Sequence, residues 1–395
     1  MRDAANARSR ACEGDVSTIM GSFILHTRAR GAASAFRCWK PALPFALALA
    51  LGACASGTIR PEPLEVPAGD GVAVTHIDEA FLGPASPGSD IDSIATWLTP
   101  EGDTWVIASA KSAGQIFVHD GGSGALLRQI GEPGAFMYPN GVAVFGDALL
   151  VIERDAARVQ VLSLPDFEPL GSFGENWLVA PYGLWLYETA PGEIEVYVTD
   201  SYQSPEGVPA LERLDQRVKR FRVRLDEEPI RAWLLDAFGG TAPDSALRHV
   251  ESIAGDVAFD RLVIADEHPD HSSAGPLLYS LDGSFHGLHL GEGLFQGDPE
   301  GIALYECPSG NGYWIATDQG VESNRFHVFD RASLAYLGSF SANALRNTDG
   351  IALHPGASER FPYGVLYAVH DDSAIAALDW RDIANALNLW LDCPE

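Results

Sequence analysis

A short apolar stretch that opens on a polar residue and a small one recurs six times in this chain. It reads "DSIATW" from residue 92, "PNGVAVF" from 139, "PYGLWLY" from 181, "VESIAGD" from 250, "PEGIALY" from 299 and "TDGIALH" from 348. The small residues are Ser93, Gly141, Gly183, Ser252, Gly301 and Gly350, at steps of 48, 42, 69, 49 and 49 residues. One such unit cannot bury its own apolar face, so the units must pack on one another. Most of the steps suit a four-stranded blade of a propeller.

The rest of each unit agrees. Residues 104–131, 148–174 and 312–341 each read as strand, turn, strand, turn, strand, rich in β-branched and aromatic residues and bounded by Gly, Asp, Ser and Pro. The sequence therefore predicts an all-β, six-bladed β-propeller over 68–395. The last unit is one strand short, and "GVAVTHI", Gly71–Ile77, is expected to supply its outer strand and close the ring. The long step after Gly183 predicts an insertion around 202–232. Helical periodicity is confined to Asp382–Trp390.

The N-terminal residues have a different character. Arg28, Arg30, Arg37 and Lys40 precede the apolar run "PALPFALALALGA", which is too short to span a bilayer. That layout is a secretory signal, and Leu51-Gly52-Ala53-Cys54 looks like a bacterial lipobox with Cys54 as the lipidated residue. Met20 gives a more usual signal length than Met1. Residues 1–54 are thus expected to be a signal/lipoprotein segment and 55–67, with three prolines, a linker. An exported protein held at a Gram-negative periplasmic or outer-membrane surface by its lipid follows. Cys307 and Cys393, both followed by proline, are the cysteines beyond Cys54 and could pair in an oxidising compartment.

Of 26 Lys+Arg and 54 Asp+Glu, seven and three fall within residues 1–54, so the remainder carries 19 basic and 51 acidic residues, a net of −32. Its only lysines are Lys111 and Lys219. This balance excludes a nucleic-acid binder, which needs a basic face. It suits a protein that meets hard cations, which prefer oxygen ligands, and a small-molecule partner met as a monomer.

Inner strands of a propeller line its central channel, so residues at their starts face one another around the axis. The residue before each small one is Asp92, Asn140, Tyr182, Glu251, Glu300 and Asp349. All six carry side-chain oxygen and four are carboxylates. Like charges converging on one axis need a neutralising partner, and calcium accepts such a mixed, irregular oxygen set. Histidine and thiolate are absent from the ring, which disfavours zinc and copper. Turn-forming Asp and Asn explain part of the pattern, but not Tyr182 or the two glutamates.

These residues resemble the β-propeller phytases, calcium-dependent enzymes that hydrolyse phytate. "VESIAGDVAFDRLVIADE", "DPEGIALY", "GNGYWIATDQG", "HVFDR", "TDGIALH" and "FPYGVLYAVHDD" carry the likeness, in order as well as in letters. The resemblance implies several calcium ions at the channel mouth, held by Asp92, Asn140, Tyr182, Glu251, Glu267, Asp298, Glu300, Gln319 and Asp349. Some of those ions hold phosphate and activate a water that attacks phosphorus. It also implies a catalytic set of Asp92, Tyr182 and Glu251, with Lys111 and Arg154 binding phosphate.

The departures concern charge. The family's second adjacent first-blade aspartate is here Ser93, with Asp90 near but out of register. The second lysine of its first-blade pair is Ser112, and a later lysine appears as Asp200 or Ser201, for which Arg217, Arg220 or Arg222 could substitute. Three functions follow as expectations. They are a calcium-dependent phosphomonoesterase acting on phytate or simpler esters, a calcium-stabilised binding propeller without turnover, and a lactonase-like calcium-dependent hydrolase. Glu267 and Asp298, acids beyond the needs of one axial ion, weigh against the last.

Overall fold

The computed structural model describes residues 63–66 and 71–394. The expected signal segment, Cys54 and the linker apart from 63–66 lie outside the described residues. Among the described residues no helix is long and apolar enough to cross a membrane.

Six sheets follow one another along the chain, each an antiparallel meander starting from an inner strand. The inner strands are Ile91–Leu98, Pro139–Phe145, Pro181–Ala190, Val250–Asp256, Asp298–Glu306 and Ile351–His354, and they define blades 1 to 6. Each inner strand lies against the next, and that of blade 6 lies against that of blade 1, so the ring closes. The apolar residues of neighbouring blades interlock in six clusters, one at each blade interface. Between blades 2 and 3, for example, Leu150, Ile152 and Val161 meet Val196, Val198 and Phe221, all fully buried. The middle strands read as near-continuous apolar runs because both their faces are covered. The fold is a six-bladed β-propeller, as the repeat spacing predicts.

The ring is closed by a different segment from the expected one. Val74–Ile77 pairs in parallel with Tyr336–Ala342 and becomes a fifth strand of blade 5. Phe81–Leu82 pairs with Ala374–Asp379 and supplies the outer strand of blade 6. The turn between them is fixed by Glu79, whose carboxylate accepts the backbone N–H of Ala344 (2.6 Å) and Leu345 (3.1 Å). Phe81 then packs toward Phe361 and Tyr367. The alternating pattern of 71–77 identifies an edge strand but carries no signal for which edge it meets.

Two boundaries also move. Val218–Arg224 and Arg231–Phe238 are the third and fourth strands of blade 3, so the extra length there lies in 201–217 and 239–249. The terminal helix is Trp380–Leu387. Asp379 caps it by accepting the N–H of Arg381, and left-handed Asn388 ends it, three residues before the expected Trp390. Trp380 stacks on Tyr305 at 4.5 Å, seating the helix on blade 5. Cys307 and Cys393 form a disulfide that ties blade 5 to the C-terminal end (Cα–Cα 5.4 Å).

Candidate active site

The small residue at the start of each inner strand marks a steric constraint. A Cβ on Gly183 would stand 2.4 Å from the backbone carbonyl oxygen of Glu251 in the next blade, and one on Gly350 2.4 Å from that of Asp92. At the four glycines the inner strands meet at the axis too closely for a larger side chain, and blades 1 and 4 carry serine, the next small residue, at the same place. A β-bulge sets the direction of the preceding residue. In blades 1 to 5 the pairing slips by one residue across this point, as between Ile91↔Ala110 and Ile94↔Ala108. Bulges re-aim side chains in this way at functional sites.

A second device holds the approach to the inner strands of blades 2 to 5. The acid ending the second strand accepts backbone N–H groups from the residues leading into the first. Asp200 takes those of Val179 (3.0 Å) and Ala180 (2.7 Å), Asp266 those of Arg248 (2.8 Å) and His249 (2.9 Å), and Asp318 that of Gly297 (2.6 Å). Glu153 takes that of Met137 (2.9 Å). These acids are spent on backbone. The residue after each of them is Arg154, Ser201, Glu267 or Gln319, with Lys111 at the matching place in blade 1, and of these Lys111, Glu267 and Gln319 reach ring residues.

The expected residues converge. Tyr182 donates its hydroxyl to Asp92 (3.4 Å), and Ser93 does the same (3.0 Å). Lys111 Nζ lies 2.9 Å from Asp92 and 3.8 Å from Asp349, bridging blades 1 and 6. Gln319 donates to Asp349. Asp92, Asn140, Glu251 and Glu300 are buried. Burial and the Glu267 carboxylate push both Glu251 and Glu300 well above the usual carboxylate range. Burial and Asp92 push Asp349 up to about 8, against the pull of Lys111. Burial, then Glu267, raises Asp298 at the exposed edge. Lys111 is largely desolvated, yet Asp92, Asp349 and Asp90 hold it charged. Burial raises Tyr182, with Asp92 and Glu251 adding to the effect, so its hydroxyl stays protonated.

Two residues join the site against expectation. Asp90, two positions before the ring, reaches Lys111 at 3.4 Å. His249, also two positions before, has a ring nitrogen 3.8 Å from Glu267, and the ligand atoms of His249, Glu251 and Glu267 lie within 4.8 Å of one another. Histidine is therefore not absent from the mouth. Reading the second position before each small-residue partner, which already gives Asp298, would have found both.

Other expected residues stand elsewhere. Arg154 donates to Asp155 (2.9 Å) and lies over the Tyr138 ring at 3.6 Å, and among the described residues it makes no ion pair with a ring carboxylate. Arg217 is buried, donating to the carbonyls of Asp200, Tyr202, Leu247 and Arg248. Arg220 is tied to Asp236 and Arg222 to Glu195. Among the described residues none of the three makes an ion pair with a ring carboxylate. Ser112 donates to Asp90 (2.8 Å).

This mouth gathers far more negative than positive charge. Asn140 is fully buried with both its side-chain oxygen and nitrogen unpartnered, a costly state for an amide. An orphaned amide beside carboxylates that repel one another fits a hard divalent cation with oxygen ligands. The residues able to hold such ions are Asp92, Asn140, Tyr182, Glu251, Glu267, Asp298, Glu300, Gln319 and Asp349. Beyond the ring the channel opens into a cavity of about 360 Å³ lined by the small residues and by Ile94, Val142, Ile302 and Ile351.

Fold and site together define a propeller with an acidic, ion-competent axial mouth. The family model described as Phytase matches residues 249–387. That span carries His249, Glu251, Glu267, Asp298, Glu300, Gln319 and Asp349, and the chain is a phytase-like propeller. Among solved structures, it is similar to a chain of the nidogen/laminin complex at 16% identity, over 68% of this chain and 87% of that one, TM-score 0.45. It is also similar to a catalytically inactive virginiamycin B lyase from Staphylococcus aureus with quinupristin (11%, 74% and 97%, TM-score 0.42). A third likeness is to the Kuenenia stuttgartiensis hydrazine synthase (12%, 81% and 82%, TM-score 0.44). None of the three bears on what this chain binds.

Proposed function

We propose that this chain is a calcium-dependent phosphomonoesterase, exported and lipid-anchored through Cys54, that acts on phosphate esters at the axial mouth. The observation that carries the reading is the ring of buried Asp92, Glu251 and Glu300 with half-buried Asp349, in which Lys111 is the one cation paired to a ring carboxylate among the described residues. Calcium held there supplies the positive charge that draws in and polarises a phosphoryl group. Lys111 offers its Nζ–H groups to a phosphate oxygen from its seat between Asp92 and Asp349. Tyr182, kept protonated, donates to Asp92 and so holds that carboxylate in place.

Phosphate release measured with calcium, and again after chelation, tests this directly. Release should need calcium, and Glu300→Ala should lower kcat/KM about 100-fold or more, as loss of a charge-stabilising group does. Release indifferent to both chelation and Glu300→Ala would falsify the mechanism.

A calcium-stabilised binding propeller without turnover is the second reading. It is favoured by the loss of mouth cations at Ser112 and Ser201 and by Lys219 being locked to Asp200 at 2.6 Å. It predicts calcium-dependent stabilisation with no phosphate released from any ester.

A further inference from the structure

The mouth has two unlike sides. Three residues before the ring, blades 1, 4, 5 and 6 carry Ser89, Arg248, Gly297 and Arg346, whereas blades 2 and 3 carry Met137 and Val179. Met137 is 51% exposed and Val179 63%. Trp177, 40% exposed, stands beside Val179 and is braced from below by fully buried Phe221, edge to face at 6.0 Å. Trp177, Val179 and Tyr202 wall a cavity of about 360 Å³ on the rim of blade 3.

This cavity is joined to the ring by one carboxylate. Asp200 accepts the N–H groups of Val179 and Ala180, which lead into Tyr182, and also binds Lys219 in the cavity wall (2.6 Å). Val179 stands three residues before Tyr182 with a bend between, which puts it at most about 10 Å from the ring position. The charges around it carry no positive excess. Lys219 is neutralised by Asp200, and Arg213 lies in the chain between Glu212 and Asp215, which also line the cavity. A second phosphate gains nothing there, because no uncommitted excess of positive charge meets it. An apolar group gains by covering Trp177 and Val179.

We propose that the blade 3 cavity is the leaving-group subsite, and that the substrate is a monophosphate ester with an aromatic or bulky apolar alcohol rather than a polyphosphate. This rests on the phosphomonoesterase reading for the place of the phosphate. Trp177 acts as a flat, rigid wall, and Val179 extends it toward the ring.

The test compares benzyl and methyl phosphate, whose leaving alcohols have nearly the same acidity, and the matching benzylphosphonate and methylphosphonate, which are not cleaved. All are used with the full chain in calcium. Benzyl phosphate should show kcat/KM about tenfold or more above methyl phosphate, a typical yield of apolar subsite contact. Titration calorimetry should show benzylphosphonate bound tighter than methylphosphonate by a similar factor. Trp177→Ala should remove most of both preferences and leave the methyl compounds unchanged. Equal handling of benzyl and methyl ligands in binding, or a Trp177→Ala effect equal on both, overturns the subsite. If no ester is cleaved but the phosphonate preference holds and depends on Trp177, the subsite stands and the hydrolytic reading falls.

Discussion

Lys111 is the residue on which the local charge balance turns. It is held within 3.8 Å of Asp90, Asp92 and Asp349, in a ring that otherwise gathers carboxylates. Lys111→Met leaves those acids facing one another without a partner, a loss of about 3–5 kcal/mol when a buried pair is broken. Urea unfolding should show that loss in full after chelation and a smaller loss with calcium present, since bound cations take over the neutralisation. An equal loss in both conditions would disconnect Lys111 from the metal site. His119 offers a separate test far from the mouth. It is fully buried in blade 1, with Nδ1 3.1 Å from the carbonyl of Gly124 and Nε2 unpartnered. Burial lowers its pKa, the Gly124 bond opposing only in part. The folded pKa lies below the unfolded one, near 6.5, so the unfolded chain binds the extra proton first. Stability is therefore full above about pH 6.5 and declines as pH falls toward the folded value. His119→Gln should flatten that part of the stability–pH curve, read from urea midpoints between about pH 7 and pH 5.

The inner strand is the element that converts a sequence repeat into a site. Its small residue, its bulge and its backbone clamp each do one thing: clear the axis, turn the preceding side chain toward the mouth, and fix the loop that leads in. Gly183→Ala would press a Cβ to 2.4 Å from the Glu251 carbonyl oxygen, where the neighbour is backbone and has no rotamer to yield. A loss of about 1–3 kcal/mol is expected from such overpacking, read as a fall in the urea midpoint. A weaker calcium affinity should accompany it, because Glu251 is displaced. The small residues made the ring legible in the sequence: all six ring residues follow from them, and Asp92, Tyr182 and Asp349 are linked in the structure through Lys111 and Asp92. Asp90 and His249 were not legible from the ring alone. They stand one step outside the bulge, and their place depends on how the chain enters the strand. Arg154 looked functional by position, yet its guanidinium settles on Tyr138 and Asp155, contacts that no spacing encodes. The same holds for Gly71–Ile77, whose alternation fits any free sheet edge.

At the scale of the whole molecule, the acidic axial mouth and the covalently tied seam can be tested separately for their share of stability. Calcium should raise the melting temperature, with a gain of about 2.7 kcal/mol at a concentration 100 times Kd. Glu300→Ala should lose most of that gain while staying folded. The Cys307–Cys393 disulfide closes a span of 86 residues, so its removal by Cys393→Ser should cost roughly 4–5 kcal/mol on a chain-entropy account. The loss should be present with and without calcium, because the bond lies in blade 5 and the C-terminal end rather than at the mouth. Full calcium dependence of that loss would show that seam and axis are one cooperative unit.

The parallel pairing of Val74–Ile77 with Tyr336–Ala342 has a mechanical consequence. Tension applied to the chain from its N-terminal side runs along this strand, not across it. The ladder bonds are then loaded together in shear, where a hairpin edge would be peeled open one bond at a time. Behind the strand, Glu79 clips the turn to Ala344 and Leu345 before the chain reaches blade 6. Along the chain, then, the pairing with blade 5 comes before the strand that completes blade 6.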